Sequence, residues 1–186
     1  HRKAYKVLMK GLHRLEYRGY DSAGIALMKE NGTLNVYKSK GKVADLEAKA
    51  TGQEVDGTIG IAHTRWATHG EPNEKNAHPQ VSESGRIALV HNGTIENYAV
   101  LKKALAQHGY VFSSDTDTEV LVQLIDYIQT TNGCRLIDAI KEALKQVEGA
   151  YAIAVMERGN PNTLIAARKS SPLVIGIGNG ETFIAS

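Results

Sequence analysis

Internal disulfide bonds are excluded by the composition, because the 186 residues contain a single cysteine, Cys134. The first residues lead directly into an amphipathic pattern and show no apolar core of a signal peptide. A chain with one thiol and no such signal is typical of the cytoplasm, which is the predicted location. No apolar stretch approaches the length of a transmembrane helix, so we expect no membrane partner.

Charge of one sign is not concentrated anywhere along the sequence. The 22 basic and 20 acidic residues are interspersed and leave a formal net charge of +2. A nucleic-acid surface would show a clustered basic stripe, and a membrane anchor would show a polybasic run. We therefore expect neither nucleic acid nor a membrane surface as a partner.

The sequence also lacks the spacing of a metal or phosphate site. His63, His69, His78 and His91 are not four residues apart, and no cysteine is near them, so we expect no metal and no cofactor. Cys134 is interpreted as an inert small residue, because unpaired cysteines are usually buried. The glycine-rich run at 176–180 lies between two strand-like segments, which favours a hairpin turn over a phosphate loop.

Hydrophobic spacing predicts an α+β fold with antiparallel sheets. Strands come in hairpins, the first closed by Asn31-Gly32, and helices come in a block, which is unlike the regular alternation of a parallel sheet. Helices are predicted at 3–16, 42–50, 97–108, 117–130 and 135–147. Strands are predicted at 24–28, 33–37, 58–63, 86–91, 150–156, 163–167, 173–177 and 182–185.

The densest polar cluster, HTRWATHG at 63–70, begins where a predicted strand ends. Loops that follow strands are common places for functional residues. Arg65 is suited to bind a carboxylate through two parallel hydrogen bonds, and Trp66 is suited to wall a pocket. The alternative is a surface loop whose arginine and histidines face water.

Two further clusters each have a structural and a functional interpretation. In HNGTIEN at 91–97, the Asn92 amide and the Gly93 N–H form a plausible oxyanion hole, but Asn-Gly is also a common hairpin turn. In SSDTDTE at 113–119, the short polar residues are typical helix caps. A capping role is compatible with Asp117 accepting hydrogen bonds from a substrate ammonium group.

Taken together, several segments resemble the glutaminase domain of the glucosamine-6-phosphate synthases. This family consists of glutamine–fructose-6-phosphate aminotransferases. The segments are LHRLEYRGYDSAG at 12–24, HTRWATHGEP at 63–72, NAHP at 76–79, HNGTIEN at 91–97 and DTDTE at 115–119. They occur in the family's order, and the match to the family covers essentially the whole chain. The YRGYDS and RWATHG runs resemble this hexosamine branch more than the amidophosphoribosyltransferase branch.

The resemblance implies a fold and a chemistry. The fold would be an N-terminal-nucleophile four-layer αββα sandwich with two stacked antiparallel sheets. The chemistry would be hydrolysis of L-glutamine to L-glutamate and ammonia through a glutamyl thioester, on an N-terminal cysteine whose own α-amino group is the base. The ammonia would then convert fructose 6-phosphate to glucosamine 6-phosphate in a synthase domain of the same parent chain, which is expected to be a homodimer.

The resemblance also assigns roles to residues. Arg65 resembles the clamp on the glutamine α-carboxylate, and Asp117 the partner of its α-ammonium group. Thr68 and His69 are similar to residues that shape that pocket. By the same resemblance, Asn92 and Gly93 would form the oxyanion hole. Trp66 would gate the passage of ammonia, and Arg18 would lie near the nucleophile.

The sequence departs from the family at its start. The family opens with a strand that carries the cysteine, whereas this sequence opens with His1 at the first predicted helix. About eight residues, including the nucleophile, are therefore expected to be missing. We expect residues 1–186 to be a type-2 glutamine amidotransferase domain that is truncated at both ends, without the synthase domains.

Two other functions are compatible with the same motifs. One is a catalytically inert module that binds glutamine or glutamate. The other is the glutaminase of another class II amidotransferase, such as amidophosphoribosyltransferase. A purely structural domain is disfavoured by the ordered polar clusters.

Overall fold

The computed structural model describes residues 2–19 and 21–186. His1 and Tyr20, the latter within the motif at 12–24, lie outside the described residues. The helices are α1 (Ala4–Leu15), α2 (Val43–Ala50), α3 (Tyr98–Gln107), α4 (Asp117–Asn132) and α5 (Leu136–Gln146). The strands are β1 (Ser22–Met28), β2 (Leu34–Lys40), β3 (Ile59–Arg65), β4 (Gln80–Val81), β5 (Ile87–Ile95), β6 (Gly149–Glu157), β7 (Ile165–Lys169), β8 (Val174–Ile177) and β9 (Thr182–Ala185).

The strands form antiparallel sheets in the orders β2-β1-β3 and β4-β5-β6-β7, with β8 and β9 as a separate hairpin. The predicted α+β class with antiparallel sheets is confirmed. The turn at Asn31-Gly32 joins β1 to β2, with Gly32 at a φ of 85°. The glycine-rich run at 176–180 forms the β8–β9 turn, as predicted, and is closed by a bond from the Gly178 N–H to the Glu181 carbonyl.

Two strands are longer than predicted, and this changes the setting of the polar clusters. β3 continues through Arg65, which pairs with Ser22. β5 continues through Asn92 and Gly93, which pair with Ala152 and Tyr151 of β6. Both clusters were predicted to follow their strands. That prediction is wrong, because pairing with β1 and β6 holds the backbone extended.

Side chains of the central strands alternate between two apolar layers, as a period of two requires. In β1, Ile25 and Leu27 pack with α1 and α2, whereas Ala26 and Met28 face β5 and β6 of the other sheet. The space between the sheets is filled by these residues together with Ile61, Ala88, Ala154 and Met156. On the far side, β5 and β6 pack against α3, α4 and α5.

Thus the two sheets lie face to face, and each has helices on its outer face. Both faces of the central strand β1 are buried along its whole length. No helix in the described part of the chain has the length and apolar character needed to span a membrane.

The β3–β4 loop approaches β1 closely at Gly24. A Cβ atom added at Gly24 would lie 1.9 Å from the carbonyl oxygen of His78, a contact no packed side chain tolerates. Because that oxygen belongs to the backbone, it can move only if the loop moves. Gly24 is therefore required for the loop to lie against the sheet.

We predict that Gly24→Ala lowers the free energy of unfolding by at least about 2 kcal/mol, because the loop must be displaced. Gly11→Ala is the matched control, since a Cβ at Gly11 in α1 meets no atom within 4 Å. The control is expected to raise stability by up to about 1 kcal/mol, because alanine is the better helix former. Urea unfolding of both variants measures this, and equal effects would contradict the steric argument.

Candidate active site

The inward-facing positions of β3 and β5 change from apolar to polar at one end of the sandwich. Ile59 and Ile61 of β3 face the other sheet, and the next residues on that face are His63 and Arg65. Ala88 and Val90 of β5 are followed on the same face by Asn92. The two strands belong to different sheets, so their polar ends meet across the space between the sheets.

Arg65 is buried, with only 4% of its surface exposed, which contradicts the alternative of a water-facing arginine. Its Nη2 donates to the carbonyl oxygens of His69 and Gly70. Among the described residues its Nη1 is buried without a hydrogen-bond partner. Burial lowers the pKa of the guanidinium, and Asp21, Asp117 and Asp115 oppose that shift. A buried cation with a free donor is well suited to an anionic ligand.

Asp117 begins α4 and is 5% exposed. Its Oδ2 accepts a hydrogen bond of 2.8 Å from the Ile95 N–H, which joins the start of α4 to the end of β5. The predicted capping is confirmed at Thr116, whose hydroxyl accepts from the Glu119 N–H at 3.1 Å. A carboxylate in the first turn is stabilised by the positive end of the helix dipole.

The side-chain amide of Asn92 has a defined orientation, because its Oδ1 lies 2.7 Å from Nε2 of His63. With His63 as the donor, the NH₂ group is the opposite arm of the amide. Gly93 next to it has a φ of 127°, and an added Cβ would lie 2.2 Å from the Ala150 carbonyl oxygen. Only glycine is accommodated there.

Three histidines line this region, of which His78 and His91 are buried and His63 is half-buried. The rings of His63 and His78 stack with their centres 4.3 Å apart, and His91 Nδ1 lies 3.0 Å from the Thr118 hydroxyl of α4. Burial lowers the pKa of His63 to about 4, despite the opposing bond to Asn92. Burial also lowers the pKa values of His78 and His91. The rings are therefore neutral near pH 7 and act as uncharged hydrogen-bonding groups.

A cleft of about 350 Å³ brings most of the predicted site residues together. Those that line it are Arg18, Arg65, Trp66, Thr68, Asn92, Gly93 and Asp117. Trp66 is 66% exposed at its mouth. His69 is not part of the lining; its carbonyl oxygen accepts from Arg65, and its ring contacts Tyr98 edge-on.

Some residues of the site were not singled out from the sequence as binding groups. Asp21 accepts a hydrogen bond from the Ala67 N–H, and its own N–H donates to the Arg65 carbonyl at 3.1 Å. His63 and His78 line the cleft but were considered only as metal ligands. Their positions in the motifs at 63–72 and 76–79 indicated that they lie near the site. Their contacts depend on tertiary packing, which the motifs do not give. No metal-binding group of acidic, histidine or cysteine side chains occurs in the described residues.

Comparison with known proteins identifies the family to which the chain belongs. The family model described as "Glutamine amidotransferase domain" matches residues 63–186, which is more than half of the chain. The protein therefore belongs to the glutamine amidotransferase domain family.

Its relatives among curated proteins include aminotransferases. It is 63% identical over 185 residues to the glutamine–fructose-6-phosphate aminotransferase (isomerizing) of Bacteroides thetaiotaomicron. It is 51% identical over 186 residues to the enzyme of the same name from Haemophilus influenzae. Each comparison covers 100% of this chain and 30% of the relative, so the chain spans about 30% of the length of these curated relatives.

The fold is similar to that of solved amidotransferases. The glutamine phosphoribosylpyrophosphate amidotransferase of B. subtilis superposes with a TM-score of 0.81 at 32% identity, over 99% of this chain and 39% of that one. A structure described as the allosteric regulatory enzyme of purine biosynthesis gives 0.82 at 31% identity, over 96% and 38%. The family resemblance inferred from the motifs is thus confirmed.

The neutral His63 predicts a dependence of stability on pH. The folded pKa of about 4 is below the ordinary 6.5, so between these values the unfolded chain binds a proton that the folded chain does not. Stability must fall as the pH is lowered from 6.5 to about 4, at up to about 1.4 kcal/mol per pH unit for one such group.

We expect His63→Gln to show a shallower loss of stability than the unchanged protein between about pH 7 and about pH 5, because the variant lacks this proton uptake. The measurement is the free energy of unfolding in urea at several pH values. Parallel curves for the two proteins would mean that the folded protein protonates His63 as readily as the unfolded one does.

Proposed function

We propose that the chain is the glutamine-binding part of a glutaminase domain, in a larger aminotransferase that hydrolyses L-glutamine to L-glutamate and ammonia. One observation carries the proposal: the buried Nη1 of Arg65 lacks a hydrogen-bond partner among the described residues, and Arg65 lines the cleft. An unsatisfied buried donor is costly, and an α-carboxylate would satisfy it with a charge-assisted bond.

The charges around the cleft match an amino acid in its zwitterionic form. Arg65 would bind the α-carboxylate, and Asp117, on the same cleft, would accept from the α-ammonium group. Thr68 and the backbone at His69 would shape the pocket around them. The side chain of glutamine would then extend towards Asn92 and Gly93.

Hydrolysis requires a nucleophile, which we propose lies before His1 in the full-length protein as an N-terminal cysteine. Its thiolate would add to the amide carbon of glutamine while its α-amino group takes the thiol proton. The Asn92 NH₂ and the Gly93 N–H would donate to the oxyanion. The protonated α-amino group would return its proton to the amide nitrogen, which leaves as ammonia, and water would hydrolyse the thioester to glutamate. The bond from His63 to Asn92 Oδ1 supports this role, since it leaves the NH₂ arm for the substrate.

The similarity to glutamine–fructose-6-phosphate aminotransferases supports a more specific proposal. The ammonia would pass to a synthase domain of the same chain, where fructose 6-phosphate becomes glucosamine 6-phosphate. Trp66, exposed at the mouth of the cleft, would gate its passage, and Arg18 would lie near the nucleophile. We further propose a cytoplasmic homodimer as the parent protein and an N-terminal-nucleophile αββα sandwich as its glutaminase fold.

The experiment that tests this function uses the purified full-length protein and a diazoketone analogue of glutamine, which alkylates a thiolate in the glutamine site. We expect one adduct by intact mass, located on an N-terminal cysteine by peptide mapping, with loss of glutamate release. An adduct on Cys134 alone, or no adduct, would indicate an inert binding module in place of a glutaminase.

We predict that Arg65→Ala raises the dissociation constant for L-glutamate at least about a hundredfold, because a charge-assisted pair of hydrogen bonds is lost. Arg135→Ala is the matched control, since Arg135 is exposed, lies before α5 and forms an ion pair with Asp138. Calorimetric titration of both variants provides the comparison. Unchanged binding by Arg65→Ala would remove this residue from the pocket.

A further inference from the structure

The pocket proposed for glutamine is built from two chain segments that are distant in sequence. One half is the end of β3, with Arg65, and the loop that follows it, with Thr68 and His69. The other half is the turn before α4 and its first residue, Asp117. Neither half can hold a zwitterion alone, so affinity depends on how accurately the two halves are placed relative to each other.

Asn76 joins these two halves through a single side-chain amide. Its Nδ2 donates to the Glu71 carbonyl at 2.9 Å, on the loop after β3. The same NH₂ donates to Asp115 Oδ2 at 3.2 Å, and its Oδ1 accepts from the Asp115 N–H at 2.9 Å. The residue is completely buried.

The surroundings leave little freedom for this amide. The Asn76 N–H is bound by Asn73 Oδ1 at 2.8 Å, which holds its backbone. Gly70, at a φ of 80°, packs against it, and an added Cβ there would lie 2.5 Å from Asn76 Nδ2 and 2.7 Å from Asp115 Cβ. The contact is thus close-packed as well as hydrogen-bonded.

Only an amide of this length supplies the donors and the acceptor that the contact requires. Aspartate at position 76 would keep the acceptor but lose both donors, and it would place a second carboxylate against Asp115. Like charges at such a distance repel strongly when buried. We propose that Asn76 is a positioning residue for amino-acid binding, which sets the separation of Arg65 from Asp117 without touching the substrate. This inference depends on the proposed glutamine pocket.

The structure offers a way to reverse the polarity of the contact. Asp115→Asn alone is tolerated, because its amide can rotate to present its oxygen to Asn76. Asn76→Asp alone removes the donors. In the double variant Asn76→Asp/Asp115→Asn, the new amide at 115 can donate to the new carboxylate at 76, so part of the contact is restored.

Gln80 provides a matched control in the same loop region. It is also a buried amide, 2% exposed, and its Nε2 donates to the carbonyls of Lys75 at 3.0 Å and Ala77 at 2.9 Å. These bonds stay within one segment and do not reach the turn before α4. Gln80→Glu therefore removes comparable hydrogen bonds without separating the two halves.

The test is calorimetric titration of L-glutamate into the full-length protein and its variants, with urea unfolding in parallel. We expect Asn76→Asp to raise the dissociation constant at least about tenfold. We expect Asp115→Asn to weaken binding less than Asn76→Asp does, and the double variant to recover at least about threefold of the affinity that Asn76→Asp loses. Gln80→Glu is expected to lower stability and change the dissociation constant less than about twofold.

Two outcomes would overturn the inference: Asn76→Asp binding normally despite reduced stability, or Gln80→Glu weakening binding as much as Asn76→Asp does. Should Asn76→Asp not fold, Asn76→Ser is used with the same expectation, because its short hydroxyl cannot span both segments and adds no charge. Failure of the proposed function itself is distinct, since then the unchanged protein does not bind glutamate or Arg65→Ala binds it equally well.

Discussion

The burial of the Arg65 guanidinium is the constraint on which the candidate site depends. A buried cation must be compensated, and the chain does this with three carboxylates that lie in different segments: Asp21 before β1, and Asp115 and Asp117 at the start of α4. Two of these acids also bind backbone, since Asp21 accepts from the Ala67 N–H and Asp117 from the Ile95 N–H, and Asp115 accepts from the Asn76 side chain. The carboxylates that offset the charge of Arg65 therefore also hold together the segments that form the cleft.

Much of the fold could be predicted from hydrophobic periodicity and turn residues alone. The helix–strand order and the antiparallel hairpins follow from local patterns, as at Asn31-Gly32 and in the polar residues that cap α4. The two-residue strand β4 was missed, because a segment that short has no detectable period. The ends of β3 and β5 were placed too early, since His63-Thr64-Arg65 and Asn92-Gly93 are polar or flexible and remain extended only through pairing with β1 and β6.

The candidate site was predictable as a set of motifs, but its connections were not. Arg65, Asn92 and Asp117 were identified from their motifs and line one cleft in the structure. The bonds that orient them come from residues whose sequence context gave no such indication, as with His63 on Asn92 and Asn76 on Asp115. Contacts between segments tens of residues apart depend on tertiary geometry, which a local pattern does not encode. His63 also shows that a half-buried, neutral imidazole can orient a neighbouring amide where a charged ring would be too costly.

The location of the cleft at the ends of strands from two different sheets has a consequence for its geometry. His63 and Arg65 move with the sheet of β1, whereas Asn92 moves with the sheet of β5. The distance between the Arg65 guanidinium and the Asn92 side-chain amide therefore depends on the thickness of the apolar layer between the sheets. That layer contains Ala26, Ala88 and Ala154 as well as larger residues. The side-chain volume in that layer thus sets the length of ligand that fits between Arg65 and Asn92. None of those three alanines comes from a motif associated with glutamine.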